Sequence, residues 1–330
     1  MVNKGLEDAL SILGSSGKTA SSQSKLEVIP TDIQALNDTV LGCGGLPRGK
    51  IIEMYAKPSV GKSTLSYWLI GQVQKRGGVA ALFDAEGAYL PEYGAKCGIN
   101  NDELILVNFD LGNDALFKVQ LLLATNAIDL MVVDSMAALI PAMAADKTSS
   151  EALKMNERLE KAKMFTCFFN EIMGGYRIKE EKKGSRFITQ TIDGEKTDIH
   201  KMSNKKACLI MINHAKDKVG VMFGERTYTP GGDAINFASS IRLGMSYLKK
   251  SKKKDEHGNP LFKLVKISAA KNKLAPPLCT LELNLHRDGK VEPADGNLEV
   301  EEVEKTKPDL TGLKGVLGNT GVALGKKESE

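Results

Sequence analysis

The residues best suited to chemistry lie close together: Lys62 and Ser63 close a short loop, Ala56-Lys57-Pro58-Ser59-Val60-Gly61-Lys62-Ser63-Thr64. An apolar run, Ile51-Ile52-Glu53-Met54-Tyr55, precedes the loop, and a helical pattern from Leu65 to Gln74 follows it. Strand, tight loop, Gly-Lys-Ser and helix is the layout of a nucleotide phosphate cradle, in which successive backbone N–H groups and a helix N-terminus surround an anion. Lys62 would add a positive charge at the β and γ phosphates, and the Ser63 hydroxyl can hold Mg²⁺. The first loop position is Ala56 where the pattern has Gly, which is tolerated if its φ is negative.

Carboxylates supply the second half of such a site. Asp134 ends the run Leu130-Met131-Val132-Val133, and an acid at a strand tip beside a phosphate loop is placed to hold Mg²⁺, often through water. Many buried strands end in Asp, so this signal gains its meaning only from the loop. Asp84-Ala85-Glu86 ends another strand. Glu86 is positioned to polarise an attacking water, with Asp84 behind it.

A long loop from Asn213 to Gly232 follows a third strand and carries His214, Lys216, Lys218, Gly220, Val221, Met222, Phe223, Gly224, Arg226, Gly231 and Gly232. Long loops within a compact domain are usually functional. Its glycines let backbone N–H groups approach phosphates, its apolar residues can wedge between bases, and His214 can sense a γ-phosphate. Alone, His214 would read as a hydrogen-bonded core histidine. Lys271 and Lys273, two apart on a strand, point the same way. They read either as a guarded sheet edge or as a pair reaching a neighbouring subunit's γ-phosphate.

These residues need a scaffold. Apolar strand-like runs at 51–55, 79–84, 103–108, 129–134 and 207–213 alternate with helical patterns at 63–76, 90–97, 113–126 and 151–173. That alternation predicts an α/β fold with a parallel sheet covered by helices on both faces. After a short helix, strands near 240–248, 261–270 and 278–286 predict an antiparallel extension. A helix at 5–14 and a Ser-rich linker at 15–24 precede the core, and the helix suits docking to a neighbouring subunit. Residues 174–206 interrupt the rhythm, and FITQTIDGEKTDIH predicts a β-hairpin around Asp193-Gly194. The expected division is 1–27 as helix and linker, 28–293 as ATPase core and 294–330 as a poorly ordered tail.

Bulk properties bound the options. The 330 residues are 42% hydrophobic and 26% charged, with net charge +4 from 45 basic and 41 acidic residues, as expected of a globular protein with a weak lean toward nucleic acid. No apolar run is long enough to span a bilayer, and acids stand where a signal peptide would be basic and then apolar. Five cysteines without a CxxC fit reduced thiols in a cytoplasmic setting. Basic runs at 249–254 and 177–186 read equally as solvated hairpin tips or phosphate contacts. With aromatics at 5%, a base-stacking platform is not expected.

At this point the chain resembles the RecA-type DNA strand-exchange recombinases, including their phage members. The pieces are LGCGGLPRGKIIEMY, KPSVGKST, FDAEGAYLPEYGAKCGI, LMVVDSMAAL, INHAKDKVGVMFG, TPGGDAINFASSIRL and AAKNKLAPP, in order between about residues 28 and 290. The resemblance implies an ATP- and Mg²⁺-using, DNA-dependent ATPase that forms helical homo-filaments on single-stranded DNA and exchanges strands with duplex. Single-strand-binding and loader proteins would be its partners.

Carried over position by position, Glu86 is the general base, Asp134 and Ser63 the Mg²⁺ holders and Tyr93 the adenine stacker. His214 is the γ-phosphate sensor, where bacterial members carry Gln. Lys216 to Gly232 is the second DNA loop. Lys271 and Lys273 form the cross-subunit pair, and Phe237 lies at the filament interface. Lys161 and Lys163 are candidate DNA contacts after a first DNA loop near 141–151. His214 and the short segment 294–330 lean toward the phage members. A hexameric helicase on the same core, or an ATP-binding recombination mediator, are the alternatives; a metabolic P-loop kinase lacks a visible acceptor site.

Overall fold

The computed structural model describes residues 4–13, 18–22, 25–109, 111–141, 152–174, 189–192, 195–198, 206–217, 227–294 and 300–302. In chain order, helix α1 (Lys4–Leu13) precedes β1 (Val28–Ile29), a single π-helical turn (Leu36–Val40), β2 (Leu46–Pro47), β3 (Ile51–Ala56), helix α2 (Lys62–Gln74) and β4 (Ala80–Asp84). Helix α3 (Pro91–Lys96), β5 (Leu104–Val107), helix α4 (Gly112–Ala124), β6 (Leu130–Asp134) and the long helix Ala152–Gly174 come next. The remainder comprises β7 (Thr189–Ile192), β8 (Glu195–Asp198), β9 (Cys208–His214), β10 (Lys216–Asp217), β11 (Thr227–Tyr228), the short helix Asp233–Ala238, β12 (Ile241–Ser251), β13 (Phe262–Asn272), β14 (Thr280–His286), β15 (Val291–Pro293) and β16 (Val300–Glu302).

The main sheet runs β15-β14-β13-β12-β3-β9-β6-β4-β5, with β16 against β12. From β12 to β5 every neighbouring pair is parallel, while β12 to β15 form an antiparallel meander. The period-two alternation of side chains explains why the central runs are apolar throughout. Ile52, Met54, Leu130, Val132, Ile210 and Ile212 enter one core, under α2, and Ile51, Met131, Val133, Leu209 and Met211 enter a second on the opposite face. Phe165, Phe168 and Phe169 of the long helix cover the second core together with Leu116 and Val119 of α4. Both faces are covered by buried apolar side chains, so the strands place their tips with little freedom.

The predicted hairpin is present, with β7 and β8 antiparallel and Ile192 opposite Glu195 across the two-residue connection. The two basic runs fall differently. Lys249 and Lys250 continue β12 rather than lying in a hairpin tip, and Asp255 accepts from the His257 and Asn259 backbone N–H groups in the turn that follows. The 177–186 run lies outside the described residues. Of the tail, Val300–Glu302 pairs with β12, placing Glu301 opposite Lys250 and Glu302 opposite Lys249 in register. The β1–β2 pair and β15 have no counterpart in the sequence expectations, because two- and three-residue strands carry no readable period, and the single π-helical turn is too short to show one.

Candidate active site

β3 delivers the phosphate loop and α2 begins at Lys62. Between them the chain must reverse tightly, and Ser59 and Gly61 do so with φ of 61° and 117°. A Cβ at Gly61 would also sit 2.4 Å from Leu285 Cδ1 of β14, so that side chain would have to shift. The loop carbonyls are occupied from within the chain: Lys62 Nζ donates to Ala56 O at 3.3 Å and Lys57 O at 3.2 Å, and Lys263 Nζ donates to Ser59 O at 3.1 Å. The backbone N–H groups at the start of α2 are therefore the free edge of the cradle, as anion binding at a helix N-terminus needs. Lys57 itself turns outward to an exposed ion pair with Asp217 at 2.8 Å. Exposed pairs of this kind contribute little to stability.

Two strand positions away from β3, beyond β9, the tip of β6 carries Asp134. Its Oδ2 accepts from Ser63 Oγ at 2.6 Å. Burial pushes the Asp134 carboxyl up to about 6 against the opposing pull of Ser63 and Lys62, with Glu86 and Asp84 adding repulsion. Two hard oxygen donors in contact, beside a loop of N–H donors, fit a magnesium nucleotide: Mg²⁺ suits carboxylate, hydroxyl and phosphate oxygen.

The raised value has a stability consequence. Folding takes up a proton at Asp134 between pH 4 and 6, so the charge penalty is absent below that window and complete above it. Asp134→Asn, which keeps an acceptor for Ser63, is expected to stabilise the nucleotide-free protein at pH 7 by about 1–3 kcal/mol. The gain should vanish near pH 4 in denaturant melts. An unchanged or lower midpoint at pH 7 would contradict the assignment.

Opposite the loop stands a second cluster. Glu86, after β4, accepts from Ser135 Oγ at 2.6 Å through Oε1, and His214 Nε2 lies 3.4 Å from the same oxygen. Burial, then Lys62, lowers the His214 pKa, which favours the neutral ring beside Glu86. Ser135 is fully buried and comes directly after the β6 carboxylate. Its position one residue beyond a strand tip is the one signal of it in the sequence. Asp84 clamps the turn beneath Glu86, accepting from Ala88 N at 3.2 Å and Tyr89 N at 2.8 Å. Tyr93 hydrogen-bonds Thr64 at 2.8 Å and meets Tyr67 edge-on at 6.3 Å, which holds its half-buried ring beside the start of α2.

The remaining predicted positions divide. Lys216 is exposed on β10, whereas Lys218, Gly220, Val221, Met222, Phe223, Gly224 and Arg226 lie outside the described residues. Gly231 and Gly232 have a packing reason. A Cβ on Gly231 would lie 2.7 Å from the Phe165 ring, and one on Gly232 would lie 3.2 Å from Ala162. Lys161 Nζ donates to Ala137 O at 2.8 Å, tying the long helix to the turn after β6, and exposed Lys163 pairs with Glu160 at 3.2 Å. Lys271 and Lys273 point the same way, as their spacing predicts: Lys271 Nζ donates to Asn236 O, and Lys273 Nζ to Phe237 O at 3.1 Å. Both thus fasten the helix Asp233–Ala238, and Phe237 beside them is 74% exposed. The first DNA loop, from 142 on, lies outside the described residues.

A strand, a positive-φ loop, a lysine opening a helix and a carboxylate on the next strand but one define a P-loop nucleotide-binding core. The family described as the RecA N-terminal domain matches residues 8–175 and 166–290, and the chain belongs to that family. It is 34% identical over 266 residues to Protein RecA of Chloroflexus aurantiacus, covering 81% of this chain and 66% of that one. It is 37% identical over 262 residues to Protein RecA of Bacillus subtilis, covering 79% and 65%. The alignment thus spans just under two thirds of these relatives' own length. Among the described residues no helix is long and apolar enough to cross a membrane.

Proposed function

We propose that this chain is an ATP-dependent DNA recombinase that assembles on single-stranded DNA and pairs it with homologous duplex. The observation that carries the reading is the Ser135–Glu86–His214 cluster facing Lys62 across the phosphate loop, within a chain of the RecA family. A mediator that only binds ATP has no need of a carboxylate so held.

In this reading the N–H groups of residues 59–64 and the Lys62 ammonium hold the β and γ phosphates, and Tyr93 stacks on adenine. Ser63 and Asp134 hold Mg²⁺, which when bound neutralises charge on the phosphate oxygens. Glu86 accepts the proton of the attacking water, while Ser135 and neutral His214 fix the carboxylate's orientation. His214 starts the 214–232 loop, so contact with the γ-phosphate region is passed directly to the second DNA loop, where Lys216, Lys218 and Arg226 meet phosphates. Lys271, Lys273 and Phe237 lie at the boundary with the next subunit. α1, with exposed Leu6, Ile12 and Leu13, docks onto a neighbour. The core is 28–293, flanked by 1–27 and the tail 294–330. Single-strand-binding and loader proteins are the expected partners, and a phage origin in a bacterial cytoplasm fits His214.

ATP hydrolysis measured with and without single-stranded DNA tests the proposal. Hydrolysis is expected to rise on adding DNA, and DNA affinity to fall linearly with salt on logarithmic axes, because the contacts are mainly to phosphates. Hydrolysis indifferent to DNA at low salt would defeat it.

A further inference from the structure

Glu53 is an acid in the middle of β3 with no exposed surface. Burying a carboxylate is costly unless it is paired and hydrogen-bonded, and an apolar residue at such a site is often as stable. Its neighbours account for it. Oε2 accepts from Arg242 Nε at 2.5 Å, and Oε1 accepts from Asn213 Nδ2 at 3.1 Å. The fully buried Asn213 reaches both ends of the long loop. Its Nδ2 also donates to Pro230 O at 3.0 Å, where the loop returns, and its Oδ1 accepts from the His214 N–H at 2.9 Å, where the loop departs. Arg242 adds a long contact to Thr229 Oγ1 at 3.5 Å, and its guanidinium lies 4.9 Å over the Tyr55 ring. Across the β12–β13 ladder, Arg242 stands opposite Lys271.

We infer that Glu53, Asn213 and Arg242 form a buried brace that fixes the two ends of the 214–232 loop to each other and to the strand pair carrying Lys271, so that engagement of the loop by DNA reaches the hydrolytic residues. The three are positioning residues, since none faces the phosphate cradle. Glu53 and Tyr55 lie on the sheet face opposite α2, as period-two alternation requires. The brace therefore reaches His214 from the far side of the sheet. A displaced Thr229-Pro230 segment moves Asn213 and, through one shared hydrogen bond, the backbone N–H of His214. The same displacement pulls on Arg242 and the strand beside Lys271. A purely apolar packing at this point would hold the strands together without linking the loop ends.

The inference rests on the functional reading above, and the experiment separates the two. Rates of ATP hydrolysis with and without single-stranded DNA are compared for the full-length wild type, Glu53→Gln, Asn213→Ala and the apolar double variant Glu53→Met/Arg242→Leu. The brace predicts that the DNA-stimulated to DNA-free ratio falls at least about fivefold in each, while the DNA-free rate and the KM for ATP stay within about twofold of wild type. The double variant guards against misfolding of the single ones, because it leaves no unpaired buried charge. If it melts like wild type and keeps wild-type stimulation, the residues are packing only and the inference is overturned. A parallel loss of the DNA-free rate overturns it too. A wild type that DNA does not stimulate removes the functional reading and this inference with it.

Discussion

Lys62→Ala is expected to lower ATP turnover by about 10²–10³-fold while leaving the fold intact, the loss seen when one preorganised donor to developing charge is removed. Lys62 is only 7% exposed, yet among the described residues no carboxylate is in hydrogen-bond contact with it. Its ammonium rests on the Ala56 and Lys57 carbonyls at the mouth of the loop, and burial draws its pKa below the ordinary lysine value despite Asp134 and Glu86 nearby. A cation held by two carbonyls is ready to transfer to phosphate oxygens, because little must be broken first. Removing it leaves carbonyl oxygens at the edge of the loop and creates no hole in either apolar core. Melting should therefore shift little, and steady-state hydrolysis with excess nucleotide should show the loss in kcat. Turnover within tenfold of wild type would mean that the loop is not the phosphate cradle.

Glu86→Gln is the second large effect. Glutamine keeps the shape and an oxygen to accept from Ser135, but it cannot take a proton from water. A fall of about 10²–10⁴ in kcat is expected, with nucleotide affinity nearly unchanged because the polar contacts of Glu86 are with Ser135 and His214. Fluorescent-nucleotide titration beside single-turnover hydrolysis separates the two quantities. Unchanged single-turnover hydrolysis, or an effect on affinity alone, would remove Glu86 from the role of base and leave the Ser135–Glu86–His214 cluster as a structural contact.

What was legible in the sequence follows contact range. The loop from Ala56 to Thr64, the strand ending at Asp134 and the hairpin about Asp193-Gly194 are local patterns, and each forms where its pattern lies. The parallel centre was legible because its strands are apolar on both faces. Lys271 and Lys273 were legible in their shared direction but not in what they touch, the carbonyls of Asn236 and Phe237, which lie 35 and 36 residues earlier. Glu53 with Arg242 is the extreme case, a contact between positions 189 residues apart, made only because β12 lies beside β3 in the sheet. Nothing in either local pattern marks them. Ser135 was hidden for another reason: a serine after a strand is common, and only the arrival of Glu86 from β4 gives its hydroxyl a partner. The loop pattern of Gly231 and Gly232 suits phosphate contact, yet each also meets the long helix at a distance that a side chain would close.

The proposed recombinase requires that nucleotide and single-stranded DNA together assemble this chain into an open helical polymer. Electron microscopy of the full-length protein with a slowly hydrolysed ATP analogue and single-stranded DNA tests it most directly. Open helical filaments that require both ligands are predicted. Closed rings, or discrete particles unchanged by DNA and nucleotide, would contradict it.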